Sequence, residues 1–184
     1  MSLLYFGKEA SFQEKTTFMQ QLQMQASLSP TTVKAIEKLP REGHPMKLLS
    51  AAVLIVGMLE GKGDYRKDCI SLMAKMPHLV AAVINYHAGW GATPPPQKER
   101  GYMENFAHQL LVPGGDTERL AAVFRLFNIL HYDHGGGNLS AFVGKAVASG
   151  LEDLYGYISQ LSPDQGMARR IKIACNLCKR YCRK

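Results

Sequence analysis

Residues 131–138 contain three polar side chains that could act on a small ligand. His131 and His134 are three residues apart, which places both imidazoles on one side of a helix, and Asn138 follows a run of three glycines. Glycines let the backbone approach another molecule closely. Imidazole and amide groups at such a helix end can bind a carboxylate or polarise a carbonyl. The pattern predicts a small polar-ligand site, the alternative being that His131 is a hydrogen-bonded core histidine.

Metal binding is a second interpretation of the same histidines. The pair lacks the adjacent glutamate of a zinc-peptidase helix and has no obvious third ligand. A separate cluster of thiols without a histidine lies near the C-terminal end: Cys175, Cys178 and Cys182. A structural zinc site normally has four ligands in two pairs, so Cys69 would have to complete this set. We expect no metal and no cofactor, with a small metalloprotein built on the histidine pair and these thiols as the least favoured alternative.

The charge of the chain is concentrated at one end. The 184 residues carry a net charge of +7. Residues 161–184 hold seven basic side chains and one acid, a net charge of +6, which leaves +1 for the other 160 residues. This segment contains one aromatic residue, Tyr181, on which a nucleic-acid base could stack. We therefore do not expect nucleic-acid binding. A non-catalytic helical interaction module that uses this basic tail as its contact is the alternative function that the composition leaves open.

Several other classes of protein are not expected. The longest apolar run, residues 51–59, is shorter than the roughly 20 residues that span a bilayer, and the first residues do not resemble a signal peptide. No Gly-x-Gly-x-x-Gly segment follows a strand, and neither a phosphate-binding loop nor a Gly-x-Ser-x-Gly nucleophile motif is present in the sequence. We therefore expect no membrane partner and no nucleotide or serine-hydrolase chemistry.

The elements that must position the histidines are predicted to be helices throughout. Apolar residues recur three and four apart in most segments, and no alternation typical of a strand is seen. Thr31 or Thr32 is predicted to cap a short helix, and Gly61 to end a longer one. Pro77 is predicted to separate one short helix from another over residues 78–86.

Asp116 or Thr117 is predicted to cap the helix that leads to His131. Its buried face is predicted to contain Leu120, Val123, Phe124, Phe127, Leu130 and His131. The predicted fold class is all-α.

Five segments of the chain, in order, resemble the citrate synthase family over roughly residues 4–159. They are His44-Pro45-Met46, Ala74-Lys75-Met76-Pro77 with Val80-Ala81-Ala82, Tyr102-Met103-Glu104-Asn105-Phe106, the run from Asn128 through His131-Tyr132-Asp133-His134 to Asn138, and Val147 to Tyr155. The fourth is similar to the family's His-x-Asp-His-x-x-x-Asn segment. The resemblance implies an all-helical portion of a large domain, and a homodimer in the intact family.

The resemblance also implies a reaction, in which acetyl-CoA, oxaloacetate and water give citrate and CoA in the tricarboxylic acid cycle. The second histidine of the family segment contacts oxaloacetate, and the matching residue here is His134. His131 and Asn138 would lie in the same wall of the oxaloacetate site. Acetyl-CoA enters as a substrate, and the propionyl-CoA form of the same chemistry is an open alternative. The expected compartment is the cytoplasm, or the mitochondrial matrix in a eukaryote.

The resemblance stops near Gln160, where the composition changes. We divide the chain into a large-domain portion over residues 1–160 and a basic, cysteine-containing tail over 161–184 that does not resemble the family. The family's following Gly-Pro-x-His-Gly segment, whose histidine helps form the enol of acetyl-CoA, is not in the sequence. Truncation or a frameshift of the gene would produce this pattern. Because forming an enol needs an acid and a base around the acetyl group, we expect the chain by itself to be inactive.

Overall fold

The computed structural model describes residues 7–131 and 153–161. Within these residues every regular element is a helix, which confirms the predicted all-α class. The helices are α1 (Phe12–Met24), α2 (Pro30–Ile36), α3 (Pro45–Glu60), α4 (Tyr65–Ala88), α5 (Tyr102–Gln109), α6 (Thr117–His131) and α7 (Leu154–Leu161).

Helix α4 is the centre of the described fold. It packs against α1, α2, α3, α5 and α7, and Leu79 and Ala81 are fully buried in it. It is also long and apolar enough to cross a bilayer, but 56% of its most apolar stretch is buried inside the fold. Such burial is typical of the core helix of a globular domain.

The prediction that a helix ends before Pro77 is wrong, because α4 continues through this residue. A proline inside a helix has no N–H for the carbonyl four residues earlier, which here belongs to Met73. The Tyr102 hydroxyl of α5 donates a hydrogen bond of 2.7 Å to that carbonyl oxygen. A side chain from another helix therefore replaces the backbone donor that proline removes, and the helix remains continuous.

The predicted cap of α2 is also wrong. Ser29 caps this helix by accepting a hydrogen bond from the Thr32 N–H (3.1 Å), and Pro30 begins it. Serine before a proline is a favourable helix start, because proline at the first helical position has no N–H to leave unpaired. Thr32 is instead fully buried, and its hydroxyl donates to the Glu60 carboxylate at the end of α3.

Glu60 lies at the centre of a buried polar cluster that joins α2, α3 and α4. Its carboxylate pairs with the Lys75 ammonium at 2.6 Å and accepts the Ser29 N–H at 2.9 Å. The Lys75 and Glu60 side chains are 10% and 12% exposed. Burial opposes ionisation of Glu60, but the hydrogen bonds from Lys75, Thr32 and Ser29 outweigh it and hold the pKa of Glu60 below its ordinary value. We call these four residues the Glu60 cluster.

His78 lies on α4 and fixes the chain that enters α2. Its Nδ1 accepts a hydrogen bond of 3.1 Å from the Leu28 N–H, so the imidazole is neutral with the proton on Nε2. The side chain is buried. Burial lowers the pKa of His78, and the negative charge of Glu60 opposes part of that shift.

The free energy of unfolding is therefore expected to fall as the pH drops below about 6.5, the ordinary value for histidine. In this range the unfolded chain takes up a proton that folded His78 resists, so the proton favours unfolding, with a slope of at most about 1.4 kcal/mol per pH unit. Urea unfolding between pH 7.5 and pH 5 measures this slope. His78→Asn, whose amide oxygen can still accept the Leu28 N–H, is the control, and the difference between the two slopes isolates His78 from the other histidines. Identical slopes would contradict the prediction.

Candidate functional site

Helix α6 leads to the first residue of the predicted site. Asp116 caps it by accepting hydrogen bonds from the Glu118 and Arg119 N–H groups at 3.0 and 3.2 Å, which confirms Asp116 of the two predicted caps. His131 belongs to α6 and is the last residue described before residues 132–152, so its predicted place at the end of a helix stays a prediction. His134 and Asn138 lie outside the described residues, and their arrangement with His131 stays a prediction. We call residues 132–152, which contain both, the histidine segment.

The predicted buried face of α6 is partly wrong. Leu120 and Phe124 are buried as expected, together with Ala121, whereas Val123 is 42% exposed and Leu130 is 67% exposed. The reason is that α5 covers one narrow side of the first half of α6. A repeat of three and four residues indicates a helix, but the partner helix decides which residues of the repeat become buried.

Helix α5 positions α6 through an aromatic contact. The rings of Phe106 and Phe124 lie 4.8 Å apart with a tilt of 47°, a favourable geometry for two aromatic rings. The Glu104 carboxylate and the Arg125 guanidinium add an ion pair at 2.7 Å. Arg125 is more than half exposed in this pair, so it adds little stability. Apolar packing, which includes this aromatic contact, therefore fixes α6 on α5.

Asn105 fixes the loop that precedes α5. Its side-chain oxygen accepts the Gln97 N–H at 2.8 Å, and its side-chain nitrogen donates to the Gln97 and Arg100 carbonyl oxygens at 2.9 and 3.1 Å. The side chain thus replaces backbone hydrogen bonds that this irregular loop cannot make to itself. The loop and α5 become one unit through this residue.

Asn85 joins α4 to the connection between α5 and α6. It is fully buried, and its side-chain nitrogen donates to the Gln109 carbonyl oxygen at 2.8 Å. Its side-chain oxygen accepts the Leu111 N–H at 3.1 Å. This residue was not predicted from the sequence. The available signal was a lone amide inside the apolar run of residues 78–86, since a buried amide needs partners from outside its own helix.

The residues after the histidine segment are fixed separately, on α3. The Asp153 carboxylate accepts the Gly156 N–H at 2.7 Å at the start of α7. Tyr155 is 2% exposed and packs against Gly57 of α3. Burial, followed by the negative charges of Asp68 and Glu60, raises the pKa of Tyr155 to about 12. A hydrogen bond with Asp68 adds to this shift, and the hydroxyl is therefore neutral at physiological pH.

Metal ligands are not clustered in residues 7–131 and 153–161, where no three His, Cys, Asp or Glu side chains come together. Cys69 is half-buried in α4, and burial raises the pKa of its thiol, which disfavours the thiolate that binds metals. The predicted thiol cluster of Cys175, Cys178 and Cys182 lies outside the described residues.

The family model described as "Citrate synthase, C-terminal domain" matches residues 1–160 of the chain. The chain belongs to the citrate synthase family. It is 32% identical to "2-methylcitrate synthase, mitochondrial" of Gibberella moniliformis, in a comparison that covers 90% of this chain and 38% of that protein. It is 30% identical to "Citrate synthase 4, mitochondrial" of Arabidopsis thaliana, with 83% of this chain and 35% of that protein covered. The chain thus spans less than two fifths of the length of these relatives.

The segments that resemble the citrate synthase family have clear structural roles wherever the structure describes them. His44 caps α3 by accepting the Met46 N–H at 3.2 Å, and Pro45 occupies the first helical position. The segment around Pro77 contributes Lys75 to the Glu60 cluster. The segment from Tyr102 to Phe106 holds α4, the loop before α5, and α6, through three different side chains. Of these segments, the one from Tyr102 to Phe106 therefore contacts α6, through Phe106.

Proposed function

We propose that the chain provides part of the oxaloacetate-binding wall of an enzyme that condenses an acyl-CoA with oxaloacetate. The reaction is that of the citrate synthases, in which acetyl-CoA, oxaloacetate and water give citrate and CoA. The observation that carries the proposal is the family match over residues 1–160, which includes the histidine segment. This match favours a condensing enzyme over a non-catalytic interaction module with a basic tail.

In this proposal His134 is the principal contact to oxaloacetate, and His131 and Asn138 lie in the same wall. An imidazole N–H directed at a ketone oxygen stabilises the negative charge that develops there when the acetyl carbon attacks. An amide N–H can hold a carboxylate of the same substrate. No metal or other cofactor is needed for these roles, because the donors are side-chain N–H groups.

The acyl substrate and the cellular setting are part of the proposal. The relatives are named as citrate synthases and as 2-methylcitrate synthases, so acetyl-CoA and propionyl-CoA are both candidates, with acetyl-CoA preferred here. The same names favour the mitochondrial matrix over the cytoplasm. We further propose a homodimer as the working assembly, as the family resemblance implies.

Oxaloacetate binding by the 184-residue chain tests the proposal. Calorimetric titration is expected to give a saturable heat with the wild-type chain and at least about tenfold weaker binding with His134→Ala, because the variant lacks the proposed donor. His87→Ala, at the end of α4, is the matched control and is expected to bind as the wild type does. Absence of binding by the wild type, or equal losses in the two variants, would contradict the assignment.

The second arm of the same experiment measures turnover. With acetyl-CoA and oxaloacetate, the 184-residue chain is expected to release no CoA above the uncatalysed rate, because the sequence contains no Gly-Pro-x-His-Gly segment to supply the histidine that forms the enol. The assay measures the free thiol of released CoA through its reaction with a chromogenic disulfide. Citrate formation at enzyme-like rates would overturn this expectation while leaving the family assignment in place.

A further inference from the structure

A groove lies between α2 and the last two turns of α4. On the α4 side it is lined by Ala82, Tyr86 and Gly89, whose spacings of four and three residues place them on one face of the helix. The groove has a volume of about 400 Å³, which is within the range of sites that hold small molecules.

The floor of the groove is apolar. Ile36 and Ala82 are 1% and 6% exposed, and Val33 packs beside them against the same core. These three side chains offer an aliphatic surface that a ligand could cover. The apolar part of an occupant is therefore expected to rest here.

The helices α2 and α4 run in the same direction. The Leu28 N–H, just before α2, donates to His78 in the middle of α4. The Tyr86 hydroxyl, near the end of α4, donates to the Leu39 carbonyl oxygen, just after α2, at 2.7 Å. The side chains that follow α2 therefore lie beside the end of α4, next to the apolar floor.

Two side chains of opposite charge, Glu37 and Arg41, line this second part of the groove. The Arg41 guanidinium lies directly against Gly89, where an added Cβ atom would overlap Nη2, and its Nε donates to the His87 carbonyl oxygen at 3.4 Å. Among the residues that the structure describes, Glu37 and Arg41 form no ion pair with each other or with a third residue. Their charges are complementary to an occupant that has both a negative and a positive group.

Thr93 adds a hydrogen-bond donor to the same part of the groove. Asn85 Nδ2 donates to the Thr93 Oγ1 at 2.8 Å, so the hydroxyl hydrogen must point to a different acceptor. Within residues 7–131 and 153–161 no group accepts it. Asn85 precedes Gly89 by one turn of α4, so Thr93 and Arg41 lie about one helical turn apart. A carboxylate has two oxygens and can accept from both of these donors.

We propose that this groove binds a free α-amino acid with an aliphatic side chain. Arg41 and Thr93 bind its carboxylate, Glu37 binds its ammonium group, and its side chain lies on the apolar floor. The carboxylate, the ammonium group and the side chain of an α-amino acid are attached to one carbon atom, which matches a groove where both charges adjoin the floor. The proposal is independent of the oxaloacetate assignment and of the histidine segment.

L-Leucine is the probe that tests this inference, and Trp90 is the reporter. Trp90 is the single tryptophan of the chain and stands between Gly89 and Gly91, both of which line the groove. Leucine is expected to change the tryptophan fluorescence of the 184-residue chain saturably, and calorimetric titration measures the Kd independently. L-Leucinamide, which lacks the carboxylate, and 4-methylpentanoate, which lacks the ammonium group, are each expected to bind at least about fivefold more weakly.

Four single variants locate the binding. Arg41→Gln is expected to weaken leucine binding at least about tenfold, and Glu37→Gln about threefold. Glu37→Gln is not expected to weaken 4-methylpentanoate, which has no ammonium group to lose. Lys38→Gln and Glu42→Gln remove the same two charges from neighbouring positions that do not line the groove, and they are expected to bind leucine within about twofold of the wild type. All four positions are exposed, and circular dichroism checks that each variant is folded.

Each outcome supports or overturns the inference. Weaker leucine binding in Arg41→Gln and Glu37→Gln, with both controls unaffected, supports it. Absence of leucine binding in both fluorescence and calorimetry overturns it, as do equal losses in the control variants. Equal affinity for leucine and leucinamide would show that the occupant is not a free amino acid but the amino end of a peptide. Equal affinity for leucine and 4-methylpentanoate would show that the groove recognises only a carboxylate, and the assignment would be wrong.

Discussion

Replacing Lys75 with methionine is expected to lower the free energy of unfolding by about 3–5 kcal/mol, the range for breaking a buried ion pair from one side. Methionine fills a similar volume but has no charge, so the Glu60 carboxylate is left buried without its cation. Thr32 and Ser29 continue to donate to Glu60, but two neutral donors do not replace an ammonium 2.6 Å away. Urea unfolding at pH 7.5 measures the loss.

The matched control for this prediction is the double variant Lys75→Met with Glu60→Gln. Glutamine keeps an oxygen that can accept from Thr32 and Ser29 and removes the charge, so the double variant is expected to recover more than half of the loss. The deficit of the single variant is also expected to shrink as the pH falls, because without Lys75 the carboxyl group takes up a proton more readily when folded than when unfolded. If the free energy of unfolding of Lys75→Met is within about 1 kcal/mol of the wild-type value, Glu60 needs no buried cation.

Gly57→Ala is expected to destabilise the chain by about 1–3 kcal/mol, the usual range for inserting a methyl group into a filled space. Helix propensity predicts the opposite sign, because alanine in the middle of a helix is favoured over glycine by about 1 kcal/mol. The contacts decide between the two effects. The new methyl group would overlap the Tyr155 Cβ and Cγ atoms, which are attached to the α7 backbone and can move away only if α7 moves with them.

Thermal and urea unfolding of Gly57→Ala measure this effect, with Gly43→Ala as its matched control. A Cβ atom at Gly43 would meet its nearest neighbour, the Pro40 carbonyl oxygen, at 3.6 Å, an ordinary contact, so this variant is expected to remain within about 0.5 kcal/mol of the wild type. A rise in melting temperature for Gly57→Ala would show that Tyr155 does not pack closely against Gly57.

The features of the fold that depend only on residues adjacent in the sequence could be predicted from the sequence. The end of α3 at Gly61 and the Asp116 cap of α6 follow from local backbone chemistry, and both were predicted. The continuation of α4 through Pro77 could not be predicted, because its donor, Tyr102, comes from a different helix. Local patterns contain no information about such partners.

The same division holds for the candidate site. Its residues could be named as a prediction, because the histidine spacing and the family resemblance are local properties of the sequence. The supports could not, since Asn85 and Tyr155 act on residues of other helices. Tyr155 belongs to a segment that resembles the family, yet the resemblance says nothing about what its ring touches. Contacts between helices are therefore the part of this region that needs coordinates.

The hydrogen bond from Tyr102 to the Met73 carbonyl makes positions 77 and 102 dependent on each other. When residue 77 is proline, residue 102 must supply a hydroxyl, and a residue at 77 that has an N–H removes this demand. We therefore expect the two positions to change together when related chains diverge. A proline at 77 beside a phenylalanine at 102 should be a rare combination, and an alanine beside a phenylalanine a tolerated one.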